Sequence, residues 1–171
     1  GRGRYLRCWE APNGGLWFSF DNKFFDKNGI FTITIGVATR EVLEKTYNYK
    51  VLLKWPNDLI LNNKKVGGII CEKVKDKVII GIGINTNVKQ IDNEKATTFI
   101  KELDKTIDNK VLMKEIIEKC NKSREGILSL SKSEIERTIN IIRGELEKNI
   151  DKFGIIYKSR IIILGISNKI K

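Results

Sequence analysis

Apolar positions fall in short runs through the first half of the chain and at helical spacing in the second. Leu16-Trp17-Phe18-Ser19-Phe20 reads as a buried strand. Val51 to Leu53 is a short strand that runs into Lys54-Trp55-Pro56-Asn57-Asp58, where proline and the Asn-Asp pair force a turn. Leu59-Ile60-Leu61, a polar turn at Asn62-Asn63-Lys64, and Val66 to Cys71 read as a hairpin, and Val78 to Ile84 as a further strand. Residues 30–46 are ambiguous: Ile30 to Val37 alternates β-branched residues in the manner of a strand, whereas Ala38 to Lys45 looks helical, with Val42 and Leu43 inward. Val111 to Leu130 carries helical spacing. Ser133 and Glu136 fit a capping box ahead of a helix striped by Ile135, Ile139, Ile142 and Leu146. Gly154 to Tyr157 and Arg160 to Leu164 read as a small hairpin. Strands first and helices later predict an α+β fold, a mixed or antiparallel sheet flanked by helices.

Composition narrows the chemistry. The 171 residues contain no histidine, which removes Ser-His-Asp catalysis, histidine general bases and histidine-based zinc sites together. The cysteines, Cys8, Cys71 and Cys120, are far apart and have no metal-ligand spacing; isolated thiols suit a reducing cytosol, so a cytoplasmic location is expected and no metal ligand is assigned. No apolar run approaches the roughly 20 residues of a membrane-spanning helix. The net charge of +11 is divided evenly, +6 over residues 1–85 and +5 over the rest. That spread fits a lysine-rich, solvated surface, with a polyanion-binding face as the alternative.

Four clusters could carry chemistry. Gly1-Arg2-Gly3-Arg4 places two guanidinium groups on one side of an extended segment, between glycines that let backbone amides approach a ligand. Such a fork suits phosphate or carboxylate, and Trp9 could supply a flat wall; a basic arm in solvent or on nucleic acid is the plainer reading. Lys54 and Asp58 flank a proline-stiffened turn that holds charge at a strand end, or merely seats a tryptophan. Lys64-Lys65-Val66-Gly67-Gly68 puts a mobile cation beside two strand glycines, which mark a bulge or a close ligand approach; a solvated turn is the alternative. Gly81-Ile82-Gly83-Ile84-Asn85 lacks the third glycine of a dinucleotide fingerprint and reads as a strand ending at a pocket rim.

In this order and spacing, Gly-Arg-Gly-Arg…Arg7-x-Trp9, Leu16-Trp17-Phe18-Ser19, Lys54-Trp55-Pro56-Asn57-Asp58, Lys65-x-Gly67-Gly68-Ile69-x-x-Glu72 and Gly81-Ile82-Gly83-Ile84-Asn85 closely resemble the catalytic domain of biotin–protein ligases. The resemblance runs from Gly1 to about Asn87, then more loosely through Ala96-Thr97-Thr98 to about residue 147. It implies a fold shared with lipoate ligases and class II aminoacyl-tRNA synthetases, and one helix over about residues 31–46 in place of the strand at Ile30 to Val37. It also implies ATP-dependent activation of biotin to biotinyl-5'-adenylate, followed by transfer to a lysine of a biotin carboxyl carrier domain of the acetyl-CoA or pyruvate carboxylase type, with Mg²⁺ bridging the phosphates. By the resemblance, Gly1, Arg2, Gly3 and Arg4 form the loop that closes over biotin and its adenylate, and Arg4 is the arginine whose loss lets the intermediate escape. Arg7 and Trp9 end that loop, Lys65 contacts the biotin carboxylate and α-phosphate, Gly68 lies against biotin, Asn85 stands near adenine, and Lys54 and Asp58 line the site. Lys65 and Arg4 are the catalytic candidates.

The chain departs from the family pattern in two places. Tyr5-Leu6 stands where the loop ordinarily has an arginine and a glycine, and the Ser-Thr-Asn turn and glutamine that the family uses for biotin are not within these 171 residues. The expected organisation is an N-terminally incomplete catalytic domain over 1–147 and a short, partial SH3-like β segment over 148–171. No helix-turn-helix precedes the core, so DNA binding is not expected, and the resemblance is compatible with a homodimer. Two other readings stand: a catalytically impaired biotin- and ATP-binding module, and a lipoate–protein ligase.

Overall fold

A computed structural model describes residues 1–3, 7–22, 30–54, 56–128 and 155–156. In chain order the elements are β1 (Leu16–Asn22), α1 (Ile30–Tyr47), β2 (Leu52–Lys54), β3 (Asp58–Leu61), β4 (Lys64–Val74), β5 (Lys77–Ile84), α2 (Phe99–Leu103), α3 (Asn109–Leu128) and β6 (Ile155–Ile156). The strands form one sheet in the order β1-β5-β4-β3-β2-β6, and its named pairings are all antiparallel. Among the described residues, the parallel component is a single bridge between Lys65 and Ala96. The first of the two apolar runs near the end of the chain supplies β6, which pairs with β2. Its expected hairpin partner at Arg160 to Leu164, the capping box at Ser133 and the division at residue 147 lie outside the described residues.

The hairpin at Asn62-Asn63 follows directly from sequence. Both asparagines have positive φ, 47° and 61°, a conformation that a two-residue antiparallel turn requires and that asparagine tolerates. Asp108 starts α3 in the same local manner: its carboxylate accepts the amides of Lys110 and Val111 at 2.9 and 3.2 Å.

Ile30 to Val37 is the correction. It belongs to α1, not to a strand. Positions 33 to 40 are buried all the way round, between the sheet and α3, so there is no polar face to mark a 3.6-residue period. With that period erased, the β-branched content mimics a strand. Gly36 faces the sheet, where a Cβ would meet Leu53 at 3.4 Å and Ile69 at 3.6 Å.

The core lies between α1 and α3 and the sheet face carrying Leu53, Leu59, Leu61, Ile69, Val78, Ile80, Ile82 and Ile84. Residues alternate across each strand, so Trp17, Lys54, Asp58, Gly68, Glu72 and Gly83 share the opposite face. One irregularity decides where Lys65 goes. Leu59 pairs with Gly67 while Ile60 pairs with Lys65, so Val66 is the extra residue of a β-bulge. Simple alternation would group Lys65 with Gly67 and Ile69 under α1. The bulge resets the phase and puts Lys65 on the open face beside Gly68.

At Gly67 the paired strands leave no room for a side chain. A Cβ there would sit 2.8 Å from the Gly83 carbonyl oxygen and 3.0 Å from Leu59 Cδ1. Since a carbonyl cannot swing aside as a side-chain tip can, Gly67→Ala is expected to cost about 2 kcal/mol by overpacking. A urea midpoint equal to that of the parent chain would contradict this. No helix among the described residues is long and apolar enough to cross a membrane.

Candidate functional site

A line of directly paired residues crosses five strands on the open face: Trp17, Gly83, Gly68, Asp58 and Lys54. The two central glycines leave a shallow trough between an aromatic wall and a charged end. Trp9, from the N-terminal loop, lies over that trough. A Cβ on Gly68 would meet Trp9 Cζ3 at 3.3 Å, and one on Gly83 would meet Trp9 Cε2 at 3.2 Å. Trp17 meets Trp9 edge-on with ring centroids 5.9 Å apart, and donates its indole N–H to the Pro12 carbonyl at 3.2 Å. The Trp9 indole N–H is buried with no partner. A donor held dry in this way is costly unless something else accepts from it.

Lys65 enters the trough from the bulge. Its ammonium group lies 2.7 Å from Asp58 Oδ1 and 5.0 Å from the Trp9 ring centroid. The lysine side chain is 34% exposed and that of Asp58 26%, so the pair is half out of water, stronger than a surface pair yet open to a competing anion. Arg2 reaches the same face from the loop and pairs with Glu72 of β4. The two arms of the loop are held together: Gly3 donates to the Arg7 carbonyl at 2.7 Å, Trp9 donates to the Gly1 carbonyl at 2.9 Å, and Arg2 bridges Cys8. Gly3 permits this closure, because a Cβ there would meet the Arg7 oxygen at 3.0 Å.

Of the residues expected at the site, the structure gathers Trp9, Asp58, Lys65 and Gly68, with Lys54 paired across from Asp58; Arg2 shares their face but is held at Glu72, four residues along β4 from Gly68. Gly1, Gly3 and Arg7 shape the loop through their backbones. Arg4 lies outside the described residues. Asn85, expected near adenine, follows directly on β5. It is buried, its side chain donates to the Thr97 carbonyl at 3.0 Å, and its backbone joins Val66 and Phe99. It fastens the 95–99 segment beside the bulge. Trp17, Gly83 and Glu72 lie within the motifs without an expected role; strand alternation is the signal that puts all three on the face of Gly68.

The remaining titratable groups add little chemistry here. Burial pushes the Cys120 thiol up to about 12, which leaves it no thiolate near neutral pH. Among the described residues, no three of His, Cys, Asp and Glu gather as a metal-holding group. The site's own carboxylates, Asp58 and Glu72, are engaged by Lys65 and Arg2. Its physical character is an apolar trough for a flat ligand body, with cations at one end for an anionic group.

The chain is similar to proteins of known structure and function. Residues 1–87 match the model of the biotin/lipoate A/B protein ligase family. Biotin–protein ligase 2 of Arabidopsis thaliana is 36% identical over 118 residues, covering 63% of this chain and 35% of that protein. The biotin protein ligase of Aquifex aeolicus, solved in complex with biotin and ATP, is 34% identical with a TM-score of 0.71, over 79% of this chain and 62% of that one. The Leishmania major enzyme, solved with biotin, is 26% identical with a TM-score of 0.68, over 92% of this chain and 70% of that one. The chain spans about a third of the length of the first of these curated relatives. The family match takes in the loop, the bulge and both strand glycines that build the trough, and on that ground the chain belongs to the biotin/lipoate A/B protein ligase family.

Proposed function

We propose that this site activates biotin with ATP to biotinyl-5'-adenylate and passes biotin to a lysine of a biotin carboxyl carrier domain. The observation that carries the reading is the Lys65 ammonium, held by Asp58 against Trp9 at the mouth of a glycine-floored trough. Biotin's fused rings take the place over the Gly68–Gly83 floor that the Trp9 indole fills here, with the indole shifted aside to pack against them, and the carboxylate reaches Lys65. A carboxylate oxygen attacks the α-phosphorus of ATP, and the bond to the β-phosphate oxygen breaks to release pyrophosphate. The carrier amine then attacks the acyl carbon, loses a proton to solvent, and AMP leaves with the bonding electrons.

Neither step requires a histidine. Two anions must be brought together, so alignment and charge neutralisation are the main demands, and Lys65 and the loop arginines, Arg2 and Arg4, meet them. Asp58 is the resting partner of Lys65 and is exchanged for the substrate carboxylate. Mg²⁺ enters with the nucleotide, as part of the substrate.

Incubating the chain with biotin and labelled ATP should yield biotin-dependent pyrophosphate and, with a carrier domain present, a biotinylated lysine. Biotin binding without pyrophosphate release would make the chain a binding module, and activity with lipoate in place of biotin would reassign the substrate.

A further inference from the structure

Lys65 lies beyond the last pairing of β5 with β4, which ends at Gly67 opposite Ile84. Its backbone is held instead by the 95–97 segment: the Lys65 amide donates to the Lys95 carbonyl at 2.8 Å, and the Thr97 amide donates to the Lys65 carbonyl at 2.9 Å. Thr97 is 2% exposed, and its hydroxyl donates to Glu102 Oε1 on α2. The other oxygen of that carboxylate accepts from Asn62 Nδ2, in the turn that leads into Lys65. One side chain thus ties both the clamp on Lys65 and the turn before it to a single helix.

We propose that Glu102 is a positioning residue for the Lys65 amine, acting through Thr97 and Asn62. The role rests on the reading of Lys65 given above, but the linkage itself is purely geometric. Lys65 keeps its register opposite Ile60 on the β3 side, but on the β5 side the ladder has ended, so the angle at which it leaves β4 depends on the 95–97 segment that grips its backbone. A misplacement on the order of 1 Å is enough to impair a group that must align two anions. The Thr97 hydroxyl holds the Glu102 carboxyl below its usual range, with Asn62, Lys101 and Lys64 acting in the same direction against burial. The Asn62 side-chain amide also donates to the Tyr49 hydroxyl at 3.2 Å.

The test is a double-mutant cycle in the full 171-residue chain, with Glu102→Ala, Lys65→Ala and their combination. Glu102→Ala should slow adenylate formation about tenfold at saturating biotin and ATP, with both KM values within about twofold. In the Lys65→Ala background it should have no further effect, because its action passes through the lysine. An equal tenfold loss in both backgrounds, or no loss in the first, overturns the proposal. Hydrogen exchange supplies a readout independent of activity. Amides of Lys65 and Thr97 should exchange at least tenfold faster in Glu102→Ala, while those of Ile80 and Ile82 keep the parent rate; unchanged exchange at Lys65 overturns the linkage. If Lys65→Ala alone leaves adenylation intact, the function assigned to the site fails while the exchange result still decides the clamp. Should Glu102→Ala not fold, Glu102→Gln, which keeps one oxygen for Thr97, carries the same comparisons with a smaller loss.

Discussion

Lys65→Ala should slow adenylate formation about 10²-fold, on the order of 3 kcal/mol, the scale of one preorganised donor removed from a developing charge. The expectation has two parts. The substitution removes the cation that offsets repulsion between the biotin carboxylate and the α-phosphate. It also leaves Asp58, whose side chain is only 26% exposed, as an uncompensated negative charge facing an anionic substrate. Combining Lys65→Ala with Asp58→Asn separates these: the double variant should recover the part due to repulsion and stay deficient in the rest. Lys65→Arg should not restore the rate, because the slot between Trp9, Gly68 and Asp58 is built around a slim ammonium and a planar fork is wider. Single-turnover adenylation within tenfold of the parent would remove Lys65 from the mechanism.

That role depends on a feature the residue pattern hides. In Lys65-Val66-Gly67-Gly68, strict alternation puts the lysine on the same face as Gly67 and Ile69, which is the buried one. Only the register against β3 reveals that Val66 is supernumerary. The two glycines signalled a bulge or a close approach, and both occur, but which residue is extra is decided by pairing across strands. The β3–β4 hairpin, β5 and α3 were legible because their signals are local: an Asn-Asn turn, a continuous strand-length run, and an apolar stripe on an otherwise polar helix. The first half of α1 was illegible for the opposite reason, since a helix buried on every side from 33 to 40 has no polar phase to read. The clamp at 95–97 acts through backbone amides and carbonyls, which every residue possesses, and so leaves no compositional mark. Glu102 is invisible for a related reason. Its partners are 5 and 40 positions away, and a glutamate in a five-residue helix resembles any other solvated acid.

Gly68→Val should abolish biotin binding, at least a hundredfold and so about 3 kcal/mol, without weakening the fold. The two adjacent glycines make opposite predictions from the same geometry. At Gly67 an added carbon meets a carbonyl, whereas at Gly68 it meets Trp9 Cζ3 at 3.3 Å, Lys65 Cε at 3.5 Å and Lys65 Nζ at 3.6 Å, all near the ends of side chains that can give way. Valine also suits a strand better than glycine does, so the urea midpoint should hold or rise. What the branched side chain takes is the floor of the trough, where the rings of biotin are proposed to lie against the backbone. It also pushes the Lys65 amine away from Asp58, so residual binding should show a weaker dependence on the substrate carboxylate. Calorimetric titration against biotin and against biotin methyl ester measures both effects. Affinity within threefold of the parent, in a variant that folds as well as the parent does, would mean that the ligand does not rest on Gly68.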